Sequence, residues 1–219
     1  MPITGSDIVG RAITKANDVD QTYWGAAESL KWVNDAQRAV VSELPKAGAT
    51  MAQPMLQAGS RQTLAGLSLA RGIEVVDLVC NVVGAARSTP IHRTSRAWLD
   101  DNLPNWHADT SGPVEYWTFD ERDPSAFYVW PNNGGKVELI YAAPPADLAA
   151  IGDPIGLNDI YAEAMQNYVL FCYFSKDITK LKSAQYAQQY YSLFLACLGK
   201  RGQSVDLTSA AGKAKEVGQ

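Results

Sequence analysis

The sequence predicts an α+β fold: a four-helix bundle with an inserted antiparallel β region and an extended carboxy-terminal arm. Three observations predict it. Apolar residues recur at three- and four-residue spacing up to about residue 50, and again from about residue 159. The stretch between them holds most of the prolines and the strand-like runs of valines and aromatics. The final stretch, GQSVDLTSAAGKAKEVGQ, has two apolar β-branched residues and no aromatic, too little burial to offset chain entropy. The divisions that follow are residues 1–50 for the first two bundle helices, 51–150 for the β-rich insertion, 151–201 for the last two helices and 202–219 for the arm.

The first helix starts at a cap supplied by Thr4 or Ser6, presents Ile8, Val9, Ala12, Ile13 and Ala16 as its apolar stripe, and is broken by NDVDQ. A second helix, from about Ala26 to Glu43, sets Leu30, Val33, Ala36, Val40 and Leu44 inward. It leaves Lys31, Asn34, Asp35 and Arg38 on wetter faces, and Pro45 ends it. GIEVVDLVCNVVG, bounded by Gly72 and Gly84, reads as one long strand or a strand with a bulge. EYWTF, AFYVW and KVELIYA follow as a three-stranded antiparallel meander. Asp123-Pro124-Ser125 makes the first turn and PNNGG, with its glycines free to take positive φ, the second.

In the third helix Ile160, Ala164, Tyr168, Phe171 and Cys172 form a stripe, and Asp159 in its first turn suits the helix dipole. The fourth presents a broad face of Tyr186, Ala187, Tyr190, Tyr191, Phe194, Leu195 and Leu198, with Lys200 and Arg201 just past its end.

Bulk numbers narrow the function. The 219 residues are 47 % hydrophobic and 19 % charged, a globular balance, and the net charge of −4 gives no overall attraction to a phosphate backbone. Cys80, Cys172 and Cys197 are odd in number and lie among apolar neighbours, which fits buried reduced thiols and synthesis in a reducing compartment. No eighteen-residue apolar run and no signal-peptide layout is present, so a soluble chain without a membrane partner is expected.

Residues that carry chemistry are sparse. His92 and His107 lie at no metal-ligand spacing from another His or Cys, so neither a metal site nor a cofactor is expected. AAGKAK lacks the first glycine of a phosphate loop, and GLSLA lacks the second glycine of a nucleophile elbow. Asp100, Asp101, Asp120, Glu121 and Asp123 read as solvated acids near a helix end and in a turn, and no enzyme is expected. The rings of Trp106, Tyr116, Trp117, Phe119, Tyr128, Trp130 and Tyr141 have two uses. Some fill the core, because Phe127 and Val129 alternate with Tyr128 and Trp130 along a strand. The remainder meet another subunit or, in an alternative reading, form a carbohydrate platform on Trp106, Trp117 and Trp130.

A set of segments, in order from about residue 20 to residue 201, resembles the adaptor proteins of tailed bacteriophages, also called head-to-tail connector or head completion proteins. They are YWGAAESLKWVNDAQRAVVSELP, AGSRQTL, RAWLDDNLPNW, YWTFDERDPSAFYVWP, VELIYAAPPADL, LNDIYAEAMQNYVLFCYFSKD and AQQYYSLFLACLGKR. The resemblance implies a ring, dodecameric, at the head-tail junction of the virion. Its subunits are made in the host cytoplasm, bind the portal protein above, tail or nozzle proteins below and one another at the sides, and extend a channel through which DNA only passes. In such an assembly Arg201, Val205, Leu207, Lys213 and Lys215 of the arm are expected to meet the portal, and Trp106, Tyr116, Trp117 and Trp130 to meet a neighbouring subunit or the tail.

Overall fold

The structure is a computed structural model. It describes the backbone of residues 2–17, 25–176 and 181–213, and side chains as far as Gly199, those of Ala26 and Leu181 excepted. Among the described residues the elements run α1 (Gly5–Ala16), α2 (Ala26–Glu43), β1 (Ala49–Ala52), β2 (Arg61–Thr63), β3 (Glu74–Val83), β4 (Ala86–Pro90), β5 (His92–Arg93), α3 (Arg96–Asn102), β6 (Tyr116–Asp120), β7 (Asp123–Trp130), β8 (Lys136–Ala142), α4 (Ala162–Ser175) and α5 (Leu181–Lys213). The chain is α+β, with five α-helices among the described residues rather than four. It divides into two compact units, one built from Met1–Ala47 with Pro145–Gln219 and the other from Gly48–Pro144.

In the first unit, Thr4 takes the cap of α1. Its hydroxyl accepts from Asp7 N while the Asp7 carboxylate accepts from Thr4 N, a reciprocal pair that satisfies two otherwise orphaned amides. Asn17 closes the helix at φ 56°. Ile8, Val9, Ala12 and Ile13 of α1, with Val33, Ala36, Val40 and Val41 of α2, share one core with Met165, Val169 and Leu170 of α4 and Phe194 and Leu198 of α5. The helix α4 packs against α1, α2 and α5, which makes it the hub. It is apolar on almost every side, and of its residues only Glu163 is fully exposed.

Several expectations for this unit are corrected. Asn34 is buried, because its amide is hydrogen-bonded to the backbone of Leu148. Ile160 belongs to a one-turn 3-10 helix ahead of α4 and stays exposed, while Met165 and Val169 take the inward positions. Among the α5 residues whose side chains are described, only Ala187, Phe194 and Leu198 are buried, whereas Tyr186, Tyr191 and Leu195 are exposed, because this helix packs mainly on one side, against α4. Lys200 and Arg201 do not follow a helix end, and residues 202–213, expected to be unstructured, continue α5. Extending an established helix costs far less than nucleating one, and this stretch has several good helix formers.

The second unit holds two four-stranded sheets, ordered β1-β8-β3-β4 and β2-β7-β6-β5, around a core that draws Val75, Leu78, Val137 and Leu139 from the first and Trp117, Phe127 and Val129 from the second. The valine-rich strand is β3, with register shifts between Val75 and Asp77 and between Leu78 and Cys80. The expected meander does not form. β6 and β7 pair as a hairpin whose turn is Glu121-Arg122, since Asp120 pairs with Asp123 and Pro124 already lies in β7. β8 pairs with β3 and β1 of the other sheet. PNNGG is therefore a crossover between sheets, held by Asn132, whose Nδ2 donates to the carbonyls of Gln57 at 2.7 Å and Gly59 at 2.6 Å. The insertion is not wholly antiparallel either, because the two-residue β5 runs parallel to β6.

Candidate functional site

The outward face of the β6-β7 hairpin gathers most of the residues singled out in the sequence. Strand alternation sends Trp117, Phe127 and Val129 into the core and leaves Tyr116, Tyr128 and Trp130 on the opposite face. Tyr116 and Trp130 are cross-strand partners with stacked rings, centroids 6.0 Å apart. The short α3, capped by Ser95 Oγ accepting from Trp98 N, brings the Trp98 ring 5.0 Å from that of Tyr116. Farther along, Trp106, His107 and Tyr128 form a second ring cluster, with Trp106 and His107 stacked at 3.7 Å and Arg96 over Tyr128.

Trp98 is 39 % exposed, and the pattern RAWLDD gave no reason to single it out before α3 was seen to carry it to the hairpin face. Trp106 and Trp117, expected at a subunit or tail contact, are 3 % and 0 % exposed within the single chain, so their rings are core. Trp106 satisfies its indole N–H on Asp100 Oδ1 at 2.9 Å. A carbohydrate platform of Trp106, Trp117 and Trp130 is therefore not presented, whereas Tyr116 and Trp130 remain half-exposed.

The acids at the hairpin end form an ion-pair cluster beside a cavity of about 580 Å³ lined by residues including Arg61, Arg96, Phe119, Arg122 and Tyr128. Arg61 donates from Nε to Asp120 and from Nη2 to Asp123, each at 3.2 Å. The Arg122 amide donates to Asp120 Oδ1, which holds the Asp120 carboxyl below the ordinary range, with Arg61 adding to it. Asp123 is held low by the hydroxyl and amide of Ser125. Carboxylates fixed in the ionised state by donors on both oxygens have no proton to give, which is the opposite of what a general acid needs.

His107 Nδ1 lies 2.8 Å from Ser60 Oγ, but among the described residues no carboxylate bonds to its other ring nitrogen, so a nucleophile-base pair would lack its orienting group. His92 is exposed on β5, near the Tyr116 ring. Among the described residues no group of three or more His, Cys, Asp or Glu could hold a metal ion, and no helix is long and apolar enough to cross a membrane. The side chains of Arg201, Val205, Leu207 and Lys213 lie outside the described residues, although their backbone is part of α5, and Lys215 lies outside them altogether.

No curated protein matches the chain. A family model described as SU10 adaptor protein matches residues 3–214. With that match spanning nearly all of its 219 residues, the chain belongs to the SU10 adaptor protein family, a structural family of phage head-tail adaptors and not an enzyme class.

Proposed function

We propose that this protein assembles as a ring, dodecameric, under the portal of a tailed-phage virion, joins capsid to tail and extends the DNA channel without catalysing a reaction. The family match over residues 3–214 is the observation that carries this reading. In it, α1, α2, α4 and α5 serve as a stiff bundle, and head-to-tail contacts between identical subunits close by rotation. The end of α5 and the residues after it form the arm that meets the portal, with Arg201, Val205, Leu207, Lys213 and Lys215 as its contacts. The half-exposed rings of Tyr116 and Trp130 face a neighbouring subunit or the tail or nozzle proteins. A net charge of −4 suits a channel past which DNA slides.

The last described buried residue of α5 is Leu198, so removing residues 202–219 leaves the described core intact. The test is loading of this truncated chain onto purified portal rings, followed by sedimentation. Loss of loading with an unchanged melting temperature supports the arm reading; normal loading contradicts it.

A further inference from the structure

We infer that the sheet β1-β8-β3-β4 continues between subunits, the open edge of β4 in one copy pairing with the open edge of β1 in the next. This rests on the ring reading and names a surface by which the ring closes. The inference begins with the edges. A terminal strand of a sheet shows a row of unpaired amides and carbonyls, and folded proteins protect such rows with very short strands, a cover, charges, prolines or bulges. Two of the four edges in the β unit are protected by length, β2 with three residues and β5 with two. The other two are longer, β1 with four residues and β4 with five, and they are the opposite ends of one sheet.

β4 stands unusually clear. All five of its residues are exposed, so no core burial holds either of its faces, and Val83 at the start of its hairpin is 69 % exposed. Its anchorage runs inward instead, through Arg87, whose guanidinium meets the buried Glu138 of β8 at 2.8 Å, and through Asn81 of β3, whose Nδ2 donates to Thr89 Oγ1 at 3.0 Å. Pro90, which has no amide to donate, closes the strand, so the free stretch of the outer edge is Ala86–Thr89, with Ala86 and Ser88 as its small side chains. On β1, Ala49 and Thr50 are likewise small and exposed. Met51, 53 % exposed, has its sulfur 4.0 Å from Arg87 Nη2, and strand side chains stand on the faces of the sheet rather than along its edge, so two backbones can approach at the usual strand spacing of about 4.8 Å.

Strand direction selects the occupant. Each step from β1 to β8, β8 to β3 and β3 to β4 is antiparallel, so three reversals leave β1 and β4 running in opposite directions. A copy related by rotation about a ring axis keeps its strand directions, and therefore offers β1 antiparallel to β4, in the better-bonded arrangement. With an odd number of strands the same rotation would bring parallel edges together. The two edges are also nearly equal in length. A heterologous contact needs two different complementary surfaces on each subunit, and the opposite ends of an even-stranded antiparallel sheet supply them.

The test uses the full chain carrying Cys172→Ser and Cys197→Ser, to which Thr50→Cys and Ser88→Cys are added singly and together; a second pair, Thr50→Cys with Thr89→Cys, covers the other strand phase. Protein loaded on portal rings is treated with a bismaleimide long enough to tolerate a register offset, then run on a denaturing gel, and its loading is scored separately by sedimentation. The expected result is a ladder of covalent multimers from at least one double variant, and only monomer from each single variant. Rings that load normally but give no ladder from either pair overturn the edge pairing and leave the ring reading intact. A dimer from Ser88→Cys alone would show β4 meeting β4 across a twofold axis, which also overturns it. Failure of the unmodified chain to load at all strikes the ring reading itself.

Discussion

Asn34 and Leu148, 114 residues apart, are joined by two hydrogen bonds: the Leu148 amide donates to Asn34 Oδ1 at 2.8 Å, and Asn34 Nδ2 donates to the Leu148 carbonyl at 3.2 Å. The side-chain amide thus pairs with a backbone segment as a strand would, tying α2 to the chain that returns from the β unit. Asn81 does the same for Val114 inside the β unit, with its Oδ1 accepting at 3.1 Å and its Nδ2 donating at 2.7 Å. Both asparagines are buried, so neither bond competes fully with water.

Replacing Asn34 with Leu leaves the Leu148 amide and carbonyl without their partner. An unsatisfied buried polar group costs about 1–3 kcal/mol, and the expected loss in urea denaturation is of that size. Replacing the exposed Lys31, one turn earlier on the same helix, is expected to change stability by no more than about 0.5 kcal/mol. Equal effects at the two positions would contradict the bridging role.

The buried and half-exposed tryptophans of the hairpin separate stability from assembly. Trp117→Ala removes a ring that is fully enclosed against Phe119 and Phe127, and is expected to cost about 3–5 kcal/mol by chemical denaturation. Trp130→Ala removes a half-exposed ring, and is expected to leave near-native circular dichroism while weakening assembly on portal. A Trp130 variant that assembles normally removes that residue from the contact.

Acid, and not neutral pH, should loosen the hairpin turn. Asp120 and Asp123 have folded-state pKa values below the ordinary carboxylate value, so the stability they contribute is fully present above the unfolded value, about 3.9. It is lost as pH falls through their depressed folded values. Amide exchange at Arg122 and Ser125, whose N–H groups bond those carboxylates, should rise in that window relative to Val129 in the same strand pair. Exchange that is flat with pH after correction for intrinsic rates would contradict it.

Burial pushes the Cys172 thiol up to about 12. Its thiolate fraction at pH 8 is then lower than that of a free thiol by on the order of 10³, and alkylation by iodoacetamide should slow in proportion. Rapid labelling of Cys172 in the folded chain, read by mass spectrometry, would show that α4 opens at that end.

Much of the fold was legible because local chemistry decides it. The bounds of α2 follow from periodicity and Pro45, and the start of α1 was narrowed to Thr4 or Ser6, with Asp7 deciding for Thr4 in the structure. What was missed depends on partners distant in sequence. Asn34 looks solvated in any helical projection, and only the returning chain at Leu148 makes it an inside residue. PNNGG has the composition of a hairpin turn, yet Asn132 reaches back to Gln57 and Gly59 and sends the chain to the other sheet. At the hairpin, composition identified a patch of rings but not which were core. Trp117 and Tyr116 are neighbours of like chemistry, and the strand's phase alone places one inside and the other out.

The central claim is that this chain is a ring-forming adaptor at the portal. Its most direct test is electron microscopy of the full-length protein mixed with purified portal. The account predicts a ring of additional density, one copy beside another, under the portal and coaxial with its channel. Portal rings that remain bare, with this protein monomeric beside them at concentrations well above those in an assembling virion, would contradict it.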